Sequence, residues 1–221
     1  MAYILKITLE GTQNPIVWRK VKVNEHISFE RLHYVIQSIF DWEQAHLYAF
    51  TYKTKGKKIF IEDPESMEDE ANMFLNNDFF KQLKEQLEDL GMVETKDNKD
   101  HLRSDKTFLS DILKRKNSKA LYEYDFGDSW VHTIMVEAIT DELLLVPICI
   151  DGEGQAPPED CGGVWGYQDI LEILKDKDAE DYENTVEWLE DMGYELPLDP
   201  YKFDLDIINE NLSDAARNGL V

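Results

Sequence analysis

A hairpin near the middle of the chain is the feature that most constrains the fold. Residues 119–126 and 129–140 alternate apolar and polar side chains, as strands with one buried face do. The dipeptide Gly127-Asp128 between them is of the kind that forms two-residue primed turns. We therefore predict a tight antiparallel hairpin in which Asp125 lies opposite Trp130.

Other segments supply further strands and several helices. Alternating or β-branched runs predict strands at residues 2–10, 16–23, 47–53, 57–62 and 143–150. Apolar residues at helical spacing follow a possible N-cap, Ser28, and further helices are predicted at about 107–113, 167–176, 179–192 and 203–212. This order favours an α+β fold: a mainly antiparallel twisted sheet with helices packed on one side, in a single domain over residues 1–221.

The charge of the chain is large and unevenly distributed. There are 46 acidic and 23 basic residues, a formal net charge of −23. Residues 62–105 hold 14 acidic residues and 5 basic ones and are predicted to form a variable acidic insertion with a helix that ends near Gly91. Residues 151–221 hold 20 acidic and 4 basic residues. Such acidity repels nucleic acid, unless the basic residues at 53–58 and 114–119 meet in one patch.

Targeting signals and cysteine content indicate a cytoplasmic protein. No apolar run approaches the roughly 18 residues of a membrane span, and the first residues lack the pattern of a secretory signal. The two cysteines, Cys149 and Cys161, are too few for a disulfide framework or a four-cysteine zinc site. We expect free thiols, with a single disulfide between them left open.

Residues 122–132 form the first segment that carries possible chemistry. In the predicted hairpin Asp128, Trp130 and His132 share one face, and cross-strand pairing adds Asp125 to it. Two carboxylates and an imidazole suit a divalent metal or acid–base catalysis. The alternative is structural: the aspartates bond to the backbone of the turn, and His132 is an ordinary polar strand residue.

The second segment is a long irregular loop at residues 151–166, dense in glycine, proline and acids. Loops of this length without regular structure are often functional, although the glycines match no phosphate-binding pattern. We interpret Cys161 as structural and not as a reactive thiol. Zinc bound by Cys149, Cys161 and His132 lacks the close paired spacing that such sites have.

The two segments together predict a binding cleft. We assign no catalytic residue, metal ligand or cofactor to it. Its predicted members are Asp125, Asp128, Trp130, His132, Glu159, Asp160, Cys161 and Trp165.

Several stretches of the chain resemble one known family. They are residues 4–9, 15–21, 32–37, Trp42 with His46-Leu47, 122–132, 157–167 and 203–205. With these the chain resembles the plasmid pRiA open-reading-frame-three-like family, whose members include transposon-passenger, TnpR-type proteins. The resemblance implies an α+β fold and a poorly defined function. Tyr48 and Ala49 stand where the family leads us to expect a second histidine or acid, which argues against a metal site there.

Three functions follow as hypotheses. The first is a binding or interaction module for a protein or small ligand, with the association with mobile elements that the resemblance implies. The second is a metal-dependent or hydrolytic enzyme that uses Asp125, Asp128, His132 and Glu159. The third is a nucleic-acid-associated protein, which requires the two basic segments to meet.

Overall fold

Eight strands form one sheet in the computed structural model, which describes residues 1–54, 56–67 and 101–221. The order across the sheet is β5-β4-β3-β6-β7-β1-β2-β8, and every neighbouring pair is antiparallel except β4 and β5. The strands are β1 (Ala2–Leu9), β2 (Trp18–Asn24), β3 (Tyr48–Thr54), β4 (Lys57–Glu62), β5 (His101–Arg103), β6 (Lys119–Tyr124), β7 (Trp130–Thr140) and β8 (Ile148–Glu153).

The helices complete the predicted α+β fold. They are α1 (Phe29–Phe40), α2 (Leu109–Ile112), α3 (Gly163–Ile173), α4 (Tyr182–Asp191) and α5 (Leu205–Arg217). The Ser28 hydroxyl accepts a hydrogen bond from the backbone N–H of Arg31, so Ser28 is the predicted N-cap of α1. The helix ends at Asp41, whose backbone is left-handed.

The core lies between α1 and the central strands. Helix α1 buries an apolar stripe that runs from Phe29 to Phe40, and α5 contacts both α1 and β8. Strand β1 alternates as predicted, with Leu5 and Ile7 fully buried. The described thiols of Cys149 and Cys161 are both free.

A buried polar cluster lies inside this core. Gln37 Nε2 donates to the Tyr122 hydroxyl at 3.0 Å, and that hydroxyl lies 2.7 Å from His33 Nδ1. The hydroxyl can donate its single hydrogen to Nδ1 when that nitrogen is unprotonated. Burial correspondingly lowers the pKa of His33 to about 3.

The central hairpin is present, but its predicted register was wrong by one residue. Tyr124 pairs with Trp130, and Tyr122 with His132. Residues 125–129 therefore form a five-residue loop, because Asp125 adopts a left-handed backbone and its carbonyl accepts from the Ser129 N–H at 2.6 Å. The shift removes Asp125 and Asp128 from the strand face. Trp130 and His132 do share a face, and it is the buried one.

Two predicted boundaries near the C-terminal third also differ. Strand β8 spans Ile148–Glu153 and not 143–150, since its pairing with β2 continues to Glu153. Helix α3 begins at Gly163, inside the predicted irregular loop, because Gly162 and Gly163 supply the left-handed backbone that precedes its first turn. The helix predicted to end near Gly91 lies outside the described residues.

The buried histidines give the fold a specific acid sensitivity. Burial lowers the pKa of His132 from its ordinary 6.5 to about 3. The unfolded chain therefore binds a proton that the folded chain excludes, so this stability is present above pH 6.5 and is lost as the pH falls toward 3. Replacing His132→Leu should reduce the dependence of the unfolding free energy on pH in this interval by up to about 1.4 kcal/mol per pH unit.

Denaturant unfolding between pH 5 and 8 measures this dependence. The control is Val136→Ala, which changes a buried residue of the same strand that carries no titratable group, and it should lower the stability without changing the slope. An identical slope in wild type and His132→Leu would contradict the assignment.

Candidate functional site

Glu159 connects the second motif segment to the rest of the fold. Its side chain is buried. One carboxylate oxygen accepts from the Tyr124 hydroxyl at 2.6 Å, and the other accepts from the backbone N–H of Glu43. Burial raises the pKa of Glu159, with the nearby Glu43 adding to the effect. This carboxylate ties the 151–162 segment to both the end of β6 and the connection between α1 and β3.

A second set of contacts joins the two motif segments directly. The Asp128 carboxylate accepts from the Gly162 N–H at 3.1 Å. A side chain at Gly163 would meet the Asp128 carbonyl oxygen, and one at Gly166 would meet the Cys161 carbonyl oxygen, both well inside van der Waals contact. Only glycine permits this approach, so the spacing of the glycines in this segment is explained by packing.

These contacts bring His46, Asp125 and Asp160 together from three separate parts of the chain. His46 Nε2 lies 3.1 Å from Asp160 Oδ1 and 3.8 Å from Asp125 Oδ2. One ligand atom from each residue lies within 4.8 Å of the other two. We call this group the His46 cluster. In the described part of the chain it is the one group of three or more such side chains with this spacing.

The charged groups of the His46 cluster are mainly acidic. Within the residues that the structure describes, neither Asp125 nor Asp160 forms an ion pair with a lysine or arginine, and each pairs only with His46. Asp125 also accepts from the Gly127 N–H through its other oxygen, which fixes the carboxylate in place. A cation would therefore find two carboxylates and one imidazole at a half-exposed position.

Unusual backbone conformations concentrate around the same site. Seven non-glycine residues in the described ranges have positive φ, and five of them lie in these segments. The five are Asp41, Gln44, Asp125, Ser129 and Asp160. Such conformations cost free energy and tend to persist at functional sites, where the surroundings impose them.

Several predicted site residues have structural roles instead. Trp130 and His132 are fully buried against Trp42, with ring centroids 5.4 Å from it in each case. The group that the enzyme hypothesis requires, Asp125, Asp128, His132 and Glu159, is not among the possible ligand groups of the described chain. The reason is the register shift, which places His132 in the core and Asp128 in the loop.

The cysteines do not form the conceivable zinc site with His132 either, as far as the described ranges extend. Burial raises the pKa of the Cys161 thiol to about 12, and the Asp128 carboxylate adds to the effect. A thiol with such a pKa is a poor nucleophile at neutral pH. This agrees with the structural interpretation of Cys161.

Trp165 does not belong to the His46 cluster and is 80% exposed. It lines a groove of about 1070 Å³ between α3, α4 and residues 196–201. We call this the acidic groove, for the charge of its surroundings. The predicted single cleft is thus divided into a cluster and a separate groove.

The two basic segments meet, as the nucleic-acid hypothesis requires. Lys53 of β3 lines a groove of about 450 Å³ together with Arg115 and Lys119. Strand β3 pairs with β6, and this pairing brings residues distant in sequence side by side. We call this the basic groove.

Sequence reasoning missed two residues of the site, His46 and Tyr124. No metal-ligand spacing surrounds His46 in the sequence, because both of its partners arrive from loops more than seventy residues away. The one sequence signal that pointed to His46 was its position in a stretch that resembles the family. Tyr124 looked like one more residue of an alternating strand, but its hydroxyl donates to Glu159 and accepts from the Ala45 N–H.

The glycine packing gives a matched stability test. Gly163→Ala should lower the unfolding free energy by more than about 2 kcal/mol, because it adds a steric conflict with Asp128 to the cost of a left-handed alanine. Gly193→Ala is the control, since its φ is also positive but nothing lies within 4 Å of the added atom. It should cost only about 1 to 2 kcal/mol. Equal losses in denaturant titrations would show that the packing at Gly163 is unimportant.

No helix in the described ranges has the length and apolar character needed to cross a membrane.

An uncharacterized protein, y4hQ, from Sinorhizobium fredii (strain NBRC 101917 / NGR234) is 29% identical over 196 residues, covering 86% of this chain and 82% of the relative. The crystal structure of a protein of unknown function, MM3350 from Methanosarcina mazei Go1, matches with a TM-score of 0.66 and 33% identity. That match covers 93% of this chain and 96% of the other. The family model described as plasmid pRiA4b ORF-3-like protein matches residues 1–207, and the chain belongs to this family.

Proposed function

We propose that the chain is a binding protein that holds a divalent cation at the His46 cluster. The observation that carries this proposal is the convergence of one imidazole nitrogen and two carboxylate oxygens within 4.8 Å of one another. Ligand atoms about 2.1 Å from a shared ion lie about 3 to 3.5 Å apart. The 3.1 Å and 3.8 Å separations in the cluster are close to this range, so small side-chain movements would complete the coordination.

The donor types favour particular metals. One imidazole with two carboxylates suits borderline divalent ions such as Mn²⁺, Fe²⁺ and Zn²⁺ better than Ca²⁺, which prefers more oxygen ligands. Three protein ligands leave coordination positions for water or a small ligand. The side chain of Asp160 is 66% exposed, so those positions would be accessible from solvent.

Binding, without catalysis, is the function that the neighbouring groups support. A raised pKa in a carboxyl group such as Glu159 is typical of a general acid or base. Both oxygens of Glu159, however, already accept hydrogen bonds, from Tyr124 and from the Glu43 backbone. These two bonds hold the carboxylate against Tyr124 and the Glu43 backbone, so it acts as a structural link between the loop and the rest of the fold.

Isothermal titration with Mn²⁺ and with Zn²⁺ tests the proposal. Wild type should bind one ion, and His46→Gln and Asp160→Asn should each weaken the affinity at least tenfold, since even loss of an outer-shell partner typically costs about 10-fold or more. Asparagine tolerates the left-handed backbone of residue 160, so this variant should remain folded.

Two substitutions of the same chemistry elsewhere serve as controls. His26→Gln and Asp141→Asn change exposed residues outside the cluster and should bind as wild type does. Absence of saturable binding in wild type, or equal losses in the controls, would refute the cation site.

Nucleic-acid association is the second candidate function, and the basic groove is the observation that favours it. Lys53, Arg115 and Lys119 line it together with Tyr52, a combination that suits a phosphate backbone and a stacked base. Screening limits repulsion from acidic residues that lie beyond the Debye length, which is about 8 Å at physiological salt.

Fluorescence anisotropy with a labelled single-stranded oligodeoxynucleotide tests this candidate. The double variant Lys53→Gln/Lys119→Gln should weaken salt-sensitive binding several-fold. The double variant Lys175→Gln/Lys177→Gln changes the net charge equally outside the basic groove and should not. Equal effects, or no binding by wild type, would exclude a specific role for the groove.

A mobile-element association and a cytoplasmic location stay predictions.

A further inference from the structure

The acidic groove is a surface that neither the His46 cluster nor the basic groove uses. Its walls are α3, α4, the turn at Gln13 and Asn14, and residues 196–201. Its volume of about 1070 Å³ exceeds that of the other grooves described above. Apolar residues including Leu171, Val186 and Leu198 line its floor.

Two aromatic side chains at this groove are largely exposed to solvent. Trp165 is 80% exposed and Tyr201 is 60% exposed, although both have large apolar rings. Exposed tryptophan and tyrosine at a concave surface are typical of the residues that contribute most to protein–protein binding.

Packing fixes the backbone around Trp165. It lies in the first turn of α3, between Gly163 and Gly166, whose backbones pack against Asp128 and Cys161. The Gln168 side chain, one turn further along, donates to the Gly11 carbonyl at 3.3 Å. Binding at this ring therefore requires no ordering of the backbone that carries it.

The groove belongs to the most acidic third of the chain. Residues 151–221 hold 20 acidic and 4 basic side chains. Three acids and two lysines line the groove, namely Asp169, Glu172, Glu190, Lys175 and Lys177. Since Lys175 pairs with Glu172 at 2.6 Å, Asp169 and Glu190 are the lining carboxylates that a cationic side chain can pair with.

We propose that the acidic groove docks a basic, arginine-containing segment of a partner protein. The guanidinium group stacks on the faces of Trp165 and Tyr201 and forms ion pairs with the surrounding carboxylates. Arginine fits better than lysine, because its planar group combines stacking with directed hydrogen bonds. The groove shares no residue with the His46 cluster, so this inference is independent of cation binding.

Fluorescence anisotropy with a short labelled peptide of alternating arginine and glycine tests the inference. Wild type should bind it, and Trp165→Ala and Tyr201→Ala should each weaken binding about two- to fivefold, the effect of losing one cation–π contact at an exposed site. These variants keep the net charge, so general attraction between the peptide and an acidic protein is unchanged.

The controls separate docking in the groove from that general attraction. Leu145→Ala removes an apolar side chain that is 86% exposed elsewhere on the surface, and it should bind as wild type does. A peptide with lysine in place of every arginine should bind several-fold more weakly. The proposal is overturned if wild type fails to bind the arginine peptide, if the aromatic variants bind it equally well, or if the lysine peptide binds as tightly.

Discussion

The placement of the candidate site depends on one buried carboxylate. Glu159 has no counter-ion in direct contact among the described residues, and its charge is balanced by hydrogen bonds from Tyr124 and from the Glu43 backbone. An unsatisfied buried carboxylate would be costly, so these two bonds hold the loop against β6 and against the end of α1. The residue that follows, Asp160, is then directed at His46. Structural and functional roles are thus divided between two adjacent acids.

The charge distribution gives the molecule three distinct surfaces. The His46 cluster combines two carboxylates with one imidazole, the basic groove is lined by Lys53, Arg115 and Lys119, and the acidic groove lies within the most negative third of the chain. The net charge of the whole chain, −23, does not describe the local charge of any of these surfaces. Because charges separated by more than a Debye length are largely screened, each surface meets its ligand mainly through its own local charge.

The alternation of side chains predicted β1 to β4, β6, β7, α1 and the cap of α1, because one-sided burial leaves a clear period in the sequence. Strand β5, which lies in the predicted acidic insertion, and the bounds of β8 were not predicted. The residues of the candidate site were harder to predict from the sequence. The register of the hairpin depended on the Asp125 backbone, whose left-handed conformation is set by hydrogen bonds with Gly127 and Ser129. His46 could not be assigned, since no local pattern records that two distant loops meet beside it. The family resemblance, in turn, argued against a metal site at this histidine, because it could not show the acids supplied by Asp125 and Asp160.

Anomalous diffraction from crystals of the protein soaked in Mn²⁺ would locate a cation at the His46 cluster. We expect a single strong peak about 2.1 to 2.2 Å from His46 Nε2 and from one carboxylate oxygen each of Asp125 and Asp160. The Glu159 carboxylate should keep its bonds to Tyr124 and the Glu43 backbone, outside the coordination sphere. A peak that lies elsewhere, or no peak at the His46 cluster, would contradict the account.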